Sequence, residues 1–462
     1  MSNSSLNELS IYVTLKQPLK LLMFGRVLPM KYAKNLNEFA LAFDPDALSG
    51  KDLDEFYYDG TMPTRMNDDY QSPIDNIYKS CLMVKQQNTH LLLGHKGCGK
   101  STELNMLKQR LEKSGRKVAV IKCLLEADLL EVSYWDLLIL LGRHLCEIAK
   151  SSGCNLPEPL LNKIEDFWKD IEITEVTSDE HDTTLTARAS TGTPKILPIL
   201  KLFASLSSEL RFGYNKKVKI REKVEKDTAQ WIGYMKELSD NIANHLDGQQ
   251  PIVIFEDLDK LSPGKAWKIF NKPLSQMPFP IIYTFPISLS YDPKFAQLEA
   301  AFNKNIHVLP MIKIRTLDGS AFNQGIAVIK NIIEKRADLN LFDNDALTFL
   351  IEKTGGILRD LFHCITEAAS RAENRKSTKI DMEDAKAATT LLRTSLTRKI
   401  EEKNHAMLRN IYKGKKYKSM IEDKAMLLDM MQGLVVLEYN GDRWHDLHPL
   451  IEDFLKEQGE LS

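Results

Sequence analysis

Residues 91–104 read LLLGHKGCGKSTEL, and this stretch constrains the fold more than any other. A short apolar run, HLLLG, has the look of a buried strand that stops at glycine. An amphipathic helix, STELNMLKQRLEKSG, follows, with Leu104, Leu107 and Leu111 on one face and Gly115 as its stop. The next apolar run, KVAVIKCLL, reads as a second strand. Strand, glycine turn, helix and strand in this order form a βαβ unit, and hence a parallel sheet covered by helices. Taken alone, the glycine stretch is either an ordinary strand-to-helix turn or a cradle for phosphates, and the rest of the chain decides.

The chain has 462 residues, 43% hydrophobic and 27% charged, the composition of a soluble globular protein. That length exceeds one compact core and implies about two to four domains. A net charge of −1 gives no global field for nucleic acid or an anionic membrane, so any such contact needs a local patch. The six cysteines lack paired spacing, which fits reduced thiols in a cytoplasmic protein and not a disulfide frame or zinc site. Residues 19–30, LKLLMFGRVLPM, are too short to span a membrane and are broken by Lys20, Arg26 and Pro29. No small-residue cleavage site follows them, so a packed helix or strand, or a disordered leader, is expected, with no membrane role.

Residues 55–88 suggest a short strand-like piece, a turn-rich piece and a helix. Residues 172–194 are rich in Thr, Ser and Asp and read as a mobile loop, and the segment after them fits either a helix or a hairpin. A long charged helix over about 218–246 leads back to the sheet, whose further strands are expected at 251–255, 280–285 and 305–314. From about residue 316 to 403 helices dominate, with Asp343 and Asp381 as N-caps. In the last sixty or so residues, Asn440-Gly441 between two strand-like runs signals a hairpin after helices, the pattern of a small winged-helix domain. The expected organisation is an unassigned leader at 1–54, an α/β domain at 55–315 with a polar insertion at about 172–214, a helical lid at 316–403 and a winged-helix-like domain at 404–462.

Gly94, Gly99, Lys100 and Ser101 fit G-x-x-x-x-G-K-[ST] at every fixed position. Glycines let backbone N–H groups converge on phosphate oxygens. Lys100 then places a charge on the β/γ-phosphates, and the Ser101 hydroxyl ligates Mg2+. The cradle comprises Gly94, Gly97, Cys98, Gly99, Lys100, Ser101 and Thr102. A phosphate-transfer site of this kind also needs a carboxylate on a neighbouring strand. PIVIFEDLDKL supplies Glu256 and Asp257 about 155 residues later, although acids after a strand also occur in plain solvated turns. Glu256 stands where the metal-organising acid belongs and Asp257 where the water-activating acid belongs. Thr284, near the end of PIIYTFPISL, is placed to meet the γ-phosphate or is simply a strand-end threonine. Arg359, after two glycines at a helix start, reaches phosphates if the helical region folds over them, or pairs with Asp360 or Glu352.

The segments GHKGCGKSTEL, VIFEDLDKL, IIYTFPISL, GGILRDL and LVVLEYNGDRWHDLHPL occur in this order, and together they resemble bacterial P-loop ATPases of the AAA+/STAND type. The likeness is strongest to the group with an origin-recognition-like ATPase module, and it covers roughly residues 56–455. It implies an α/β nucleotide-binding domain, a helical lid and a C-terminal winged helix. It also implies ATP as the nucleotide, Walker A roles for Lys100 and Ser101, Walker B roles for Glu256 and Asp257, sensor 1 at Thr284 and sensor 2 at Arg359. The family usually has Asp at the first Walker B position. Glu256 moves that carboxylate by about one bond length, so slow hydrolysis with intact binding is one expectation. Arg315 and Arg336 are candidates for a trans-acting arginine finger by location alone. Relatives of this kind act as nucleotide-dependent switches, often in bacterial signalling or antiviral defence.

Three functions remain open on the sequence: an ATP-dependent switch acting on a protein partner or on copies of itself, a DNA-binding ATPase, and a non-hydrolysing nucleotide-binding scaffold. Residues 399–462 carry ten Lys/Arg against twelve Asp/Glu, which does not favour DNA, although Arg409, Lys413, Lys415, Lys416 and Lys418 form a local basic cluster. No H-E-x-x-H motif or Cys/His cluster is present, and His445 and His448 beside Trp444 read as hairpin packing.

Overall fold

A computed structural model describes residues 29–66, 71–83, 88–171, 196–213, 215–270, 273–415, 424–439 and 444–461. Five parallel strands form one sheet: β1 (Thr89–Gly94), β2 (Val118–Lys122), β3 (Ile252–Glu256), β4 (Ile281–Pro286) and β5 (Ile306–Val308), in the order β2-β3-β4-β1-β5. The three central strands are buried along their whole length, as their near-continuous apolar runs require of a parallel sheet covered on both faces. Edge strands β2 and β5 are only partly buried. The glycine loop joins β1 to the helix Lys100–Lys113, on which Leu104, Leu107 and Leu111 are fully buried. This is the expected α/β arrangement of a P-loop NTPase.

The chain divides into two compact units. One, formed by Pro73–Gly94 and Leu107–Val308, holds the sheet and, among its helices, Tyr134–Ser151, Glu158–Trp168, Ile196–Phe212, Asn215–Lys226 and Thr228–His245. These helices close around Trp231, whose ring lies 5.2 Å from Trp168 and 5.9 Å from Phe203. The indole N–H of Trp231 donates to the Leu138 carbonyl at 3.2 Å. Gly142 admits Phe203, because a Cβ there would sit 2.8 Å from the ring. The segment open between helix and hairpin is thus the helix Ile196–Phe212, while 172–195 lie outside the described residues.

The other unit is formed by Met1–Ser72, His95–Met106 and Leu309–Ser462. Its core joins the helices Asn323–Glu334, Asn344–Lys353, Leu358–Asn374 and Met382–Thr397. Ala368, Ala372, Ala385 and Ala388 are buried where the last two of these helices meet, and their small side chains permit the close approach. Phe39 and Phe43, from the region left unassigned on sequence, pack into this core 5.4 Å from Phe342 and 5.7 Å from Phe362 respectively. Asp381 caps its helix through both Glu383 and Asp384 amides, whereas Asp343 occupies an N-cap position without a side-chain cap. After the helices His405–Gly414 and Lys424–Gln432 come β6 (Val436–Tyr439) and β7 (Trp444–Leu447), paired antiparallel, and then the helix Pro449–Glu457. The Asn440-Gly441 turn itself lies outside the described residues.

Three expectations about elements need correction. The strand-like piece near residue 55 is the helix Gly50–Phe56. The single long charged helix is two helices, parted at Asp227, where ψ is 33°. The last strand of the sheet ends at Val308 instead of running to 314, because Pro310 has no amide to give a ladder. All six cysteines are buried. Among the described residues no helix is long and apolar enough to cross a membrane.

Candidate functional site

The candidate residues fall into two groups, one in each unit. In the sheet-bearing unit, Gly94, Thr284 and Glu256 lie at the carboxyl ends of neighbouring parallel strands: Gly94 is opposite Pro286, and Thr284 is opposite Leu92. Ligands of open parallel sheets bind beyond these ends. Glu256 is the last residue of β3 and is buried. Asp257 follows it with φ at +71°, a left-handed conformation uncommon for a residue with a Cβ and a marker of functional turns. Its carboxylate accepts the Leu124 amide at 3.3 Å and pairs with Lys260 at 2.7 Å.

The Thr284 hydroxyl explains how that turn is held. It accepts the Leu258 amide at 3.0 Å and donates to the Phe255 carbonyl at 3.4 Å, so a β4 side chain clamps both sides of the Glu256-Asp257 turn. Cys123, just after the end of β2, is fully buried, and burial together with the charges of Asp257, Glu126 and Glu256 pushes its thiol well above the usual range. It is therefore inert as a nucleophile.

In the other unit the loop from His95 to Gly99 leads into the helix that starts at Lys100. Gly97 and Gly99 have φ of +80° and +104°. At Gly97 the need for glycine is double, since a Cβ would lie 2.9 Å from both Ile357 Cγ2 and Arg359 Cβ. The Arg359 amide donates to the Gly97 carbonyl at 3.4 Å. The backbone of Arg359 thus meets the loop. The Lys100 ammonium is buried and donates to the His95 carbonyl at 2.9 Å, folding the loop over its own lysine. Cys98 is buried, while Ser101 and Thr102 in the first helical turn are partly exposed.

His95 is a variable position of the motif that sequence reasoning passed over. Its Nε2 accepts the Glu438 amide of β6 at 2.8 Å, which places the ring proton on Nδ1. Burial, reinforced by the charges of Lys100 and His445, lowers its pKa to about 3, so the ring stays neutral and the bond persists at ordinary pH. Beside it the Tyr439 hydroxyl donates to the Gly355 carbonyl at 2.9 Å, and Tyr439 stacks on Trp444 at 4.7 Å. The phosphate-type loop therefore carries two contacts at once, Gly97 to the helix of Arg359 and His95 to the C-terminal hairpin. No sequence periodicity marks His95, because its partner is a backbone amide more than three hundred residues away.

The two arginine-finger candidates are engaged inside the chain. Arg315 pairs with Glu452 at 2.5 Å. Arg336 is buried, donates to the Ala42 carbonyl at 3.1 Å and lies over the Phe362 ring at 4.2 Å. Arg336 is 4% exposed, whereas Arg315 stays partly exposed beside Glu452.

No family model matches the chain, and no curated protein matches it. Among solved structures it is similar to Cdc6p from Pyrobaculum aerophilum, at 12% identity over 88% of this chain and 98% of that one, with a TM-score of 0.38. It is also similar to the Aeropyrum pernix ORC1 protein solved in complex with DNA, at 11% identity, covering 84% and 92%, with a TM-score of 0.36. A third is the RuvB Holliday junction branch migration motor of Thermotoga maritima, at 10% identity, covering 83% and 94%, with a TM-score of 0.31.

Proposed function

We propose that this chain is an ATP-binding and ATP-hydrolysing switch of the AAA+/STAND type that couples its nucleotide state to a protein partner or to self-assembly. In this reading residues 55–315 are the ATPase domain, 316–403 the lid and 404–462 a winged-helix domain, in a cytoplasmic protein that serves bacterial signalling or antiviral defence. The observation that carries it is the double engagement of the glycine loop, by Arg359 and by Glu438 through His95. A loop that holds phosphates and also holds a helical region and a hairpin transmits whatever phosphate binding does to its backbone.

The residues suit the absent groups. Gly97 and Gly99 take left-handed backbone conformations that favour glycine, and the loop ends at the amino terminus of a helix of 14 residues. ATP supplies the scissile phosphate bond and Mg2+ supplies charge neutralisation when bound. Gly94 to Thr102 would cradle the phosphates, with Lys100 as the fixed cation. Ser101 and Glu256 would serve Mg2+, Asp257 would orient water, and Thr284 and Arg359 would report the γ-phosphate. Lys100→Ala is expected to weaken ATP binding by more than about tenfold, or about 1.4 kcal/mol. A titration with fluorescent ATP checks this, and equal affinity in mutant and wild type would overturn the reading.

A further inference from the structure

Arg65 ends the short helix Met62–Arg65 and is 1% exposed. Burying a guanidinium is costly and calls for a specific task. Nη1 donates to the Pro310 carbonyl at 2.5 Å, and Nη2 donates to the Cys98 carbonyl at 2.9 Å. Among the described residues both acceptors are backbone carbonyls, and no carboxylate pairs with the group. Arg65 thus ties the middle of the glycine loop to the segment that follows β5.

The Cys98 carbonyl belongs to the same peptide unit as the Gly99 amide. In a trans peptide the C=O and N–H point in opposite directions, and no peptide bond here is cis. By holding the carbonyl on its own side, Arg65 aims the Gly99 N–H to the other. Gly99, at φ +104°, has a soft backbone that would otherwise let this peptide turn over. A Cβ on Gly99 would come within 3.4 Å of Arg65 Nη2, so glycine and arginine are matched.

We propose that Arg65 is a positioning residue that fixes the Cys98–Gly99 peptide so that an amide, not a carbonyl, faces the phosphates. The proposal rests on the nucleotide reading above. Arg65 touches no reacting atom; it presets one donor of the cradle, in the way that preorganised dipoles raise affinity without rearranging on binding. Its effect therefore falls on the phosphates and not on the nucleoside.

The test compares wild type, Arg65→Met and Lys100→Ala in the full chain, by calorimetric titration with ATP, inorganic pyrophosphate and adenosine. Arg65→Met is expected to weaken ATP and pyrophosphate by the same factor, about tenfold, and to leave adenosine unchanged. Arg65→Lys keeps the charge and one carbonyl contact, so it should recover part of the loss, and it carries the comparison should Arg65→Met fail to fold. A loss for ATP and adenosine with pyrophosphate unaffected would place Arg65 on the nucleoside and overturn the proposal. So would full affinity for both phosphate ligands while Lys100→Ala has lost them. A wild type that binds neither ATP nor pyrophosphate would overturn the nucleotide reading and this proposal with it.

Discussion

Asp257 combines a left-handed backbone with a carboxylate held by the Leu124 amide and Lys260. Glu256, one residue earlier, stays on the regular strand. The contrast favours a water-orienting role for the residue in the turn and a metal-organising role for the residue on the strand. Asp257→Asn is accordingly expected to keep ATP binding and to slow turnover by about 10² to 10⁴; single-turnover hydrolysis beside equilibrium binding measures both. If Glu256→Gln abolished hydrolysis while Asp257→Asn left it untouched, the two roles would be exchanged. Thr284 supports the same turn. Thr284→Val keeps the shape but strands the buried Leu258 amide, which should cost about 1–3 kcal/mol of stability. Thr284→Ser should recover most of it. A valine variant that melts with the wild type would show that the clamp is not needed.

The buried strands and the glycine loop were legible because apolar runs and a fixed motif are local signals, carried by Leu91, Leu92, Leu93 and Gly99. What was not legible is long-range. Nothing in MPTR announces that Arg65 bonds Cys98, and nothing near His95 announces Glu438, since backbone carbonyls and amides leave no residue-type signature. Element ends failed where one residue overrode a pattern, as Pro310 did for β5. A charged cluster next to β2 belongs at this scale as well. His144, on the helix Tyr134–Ser151, bonds Glu126 at 2.8 Å through Nε2 and Glu147 at 3.1 Å through Nδ1. Burial alone would lower its pKa, but the two carboxylates outweigh burial and raise it to about 9. A raised folded pKa stabilises fully below the unfolded value, near 6.5, and that stabilisation is lost as pH climbs through about 9. Its size is on the order of 3 kcal/mol. Denaturant midpoints should fall between pH 6.5 and 9 in the wild type, and His144→Gln should flatten that slope; an unchanged slope would count against the paired imidazolium.

At the scale of the whole molecule the question is what the C-terminal hairpin faces. A DNA-reading domain offers unpaired cations, because releasing condensed counterions supplies most of its affinity. Here two members of the basic cluster are neutralised from within: Arg409 pairs with Glu460, and Lys415 pairs with the buried carboxylate of Asp446. Lys413 is exposed, and Lys416 and Lys418 lie outside the described residues. The hairpin's own β6 is turned inward, with Glu438 on His95 and Tyr439 on Gly355. Neutralising a phosphate with Arg409 or Lys415 would first require breaking an existing pair and leaving a carboxylate, buried in the case of Asp446, without its cation. The full chain is therefore expected to show no salt-sensitive duplex binding at about micromolar concentration near physiological salt. Replacing Lys413, Lys415 and Lys416 by Gln should change nothing in that assay. Binding that weakens steeply with added salt and vanishes in the triple variant would mean that these pairs open for phosphate, and the hairpin would then be a nucleic-acid contact.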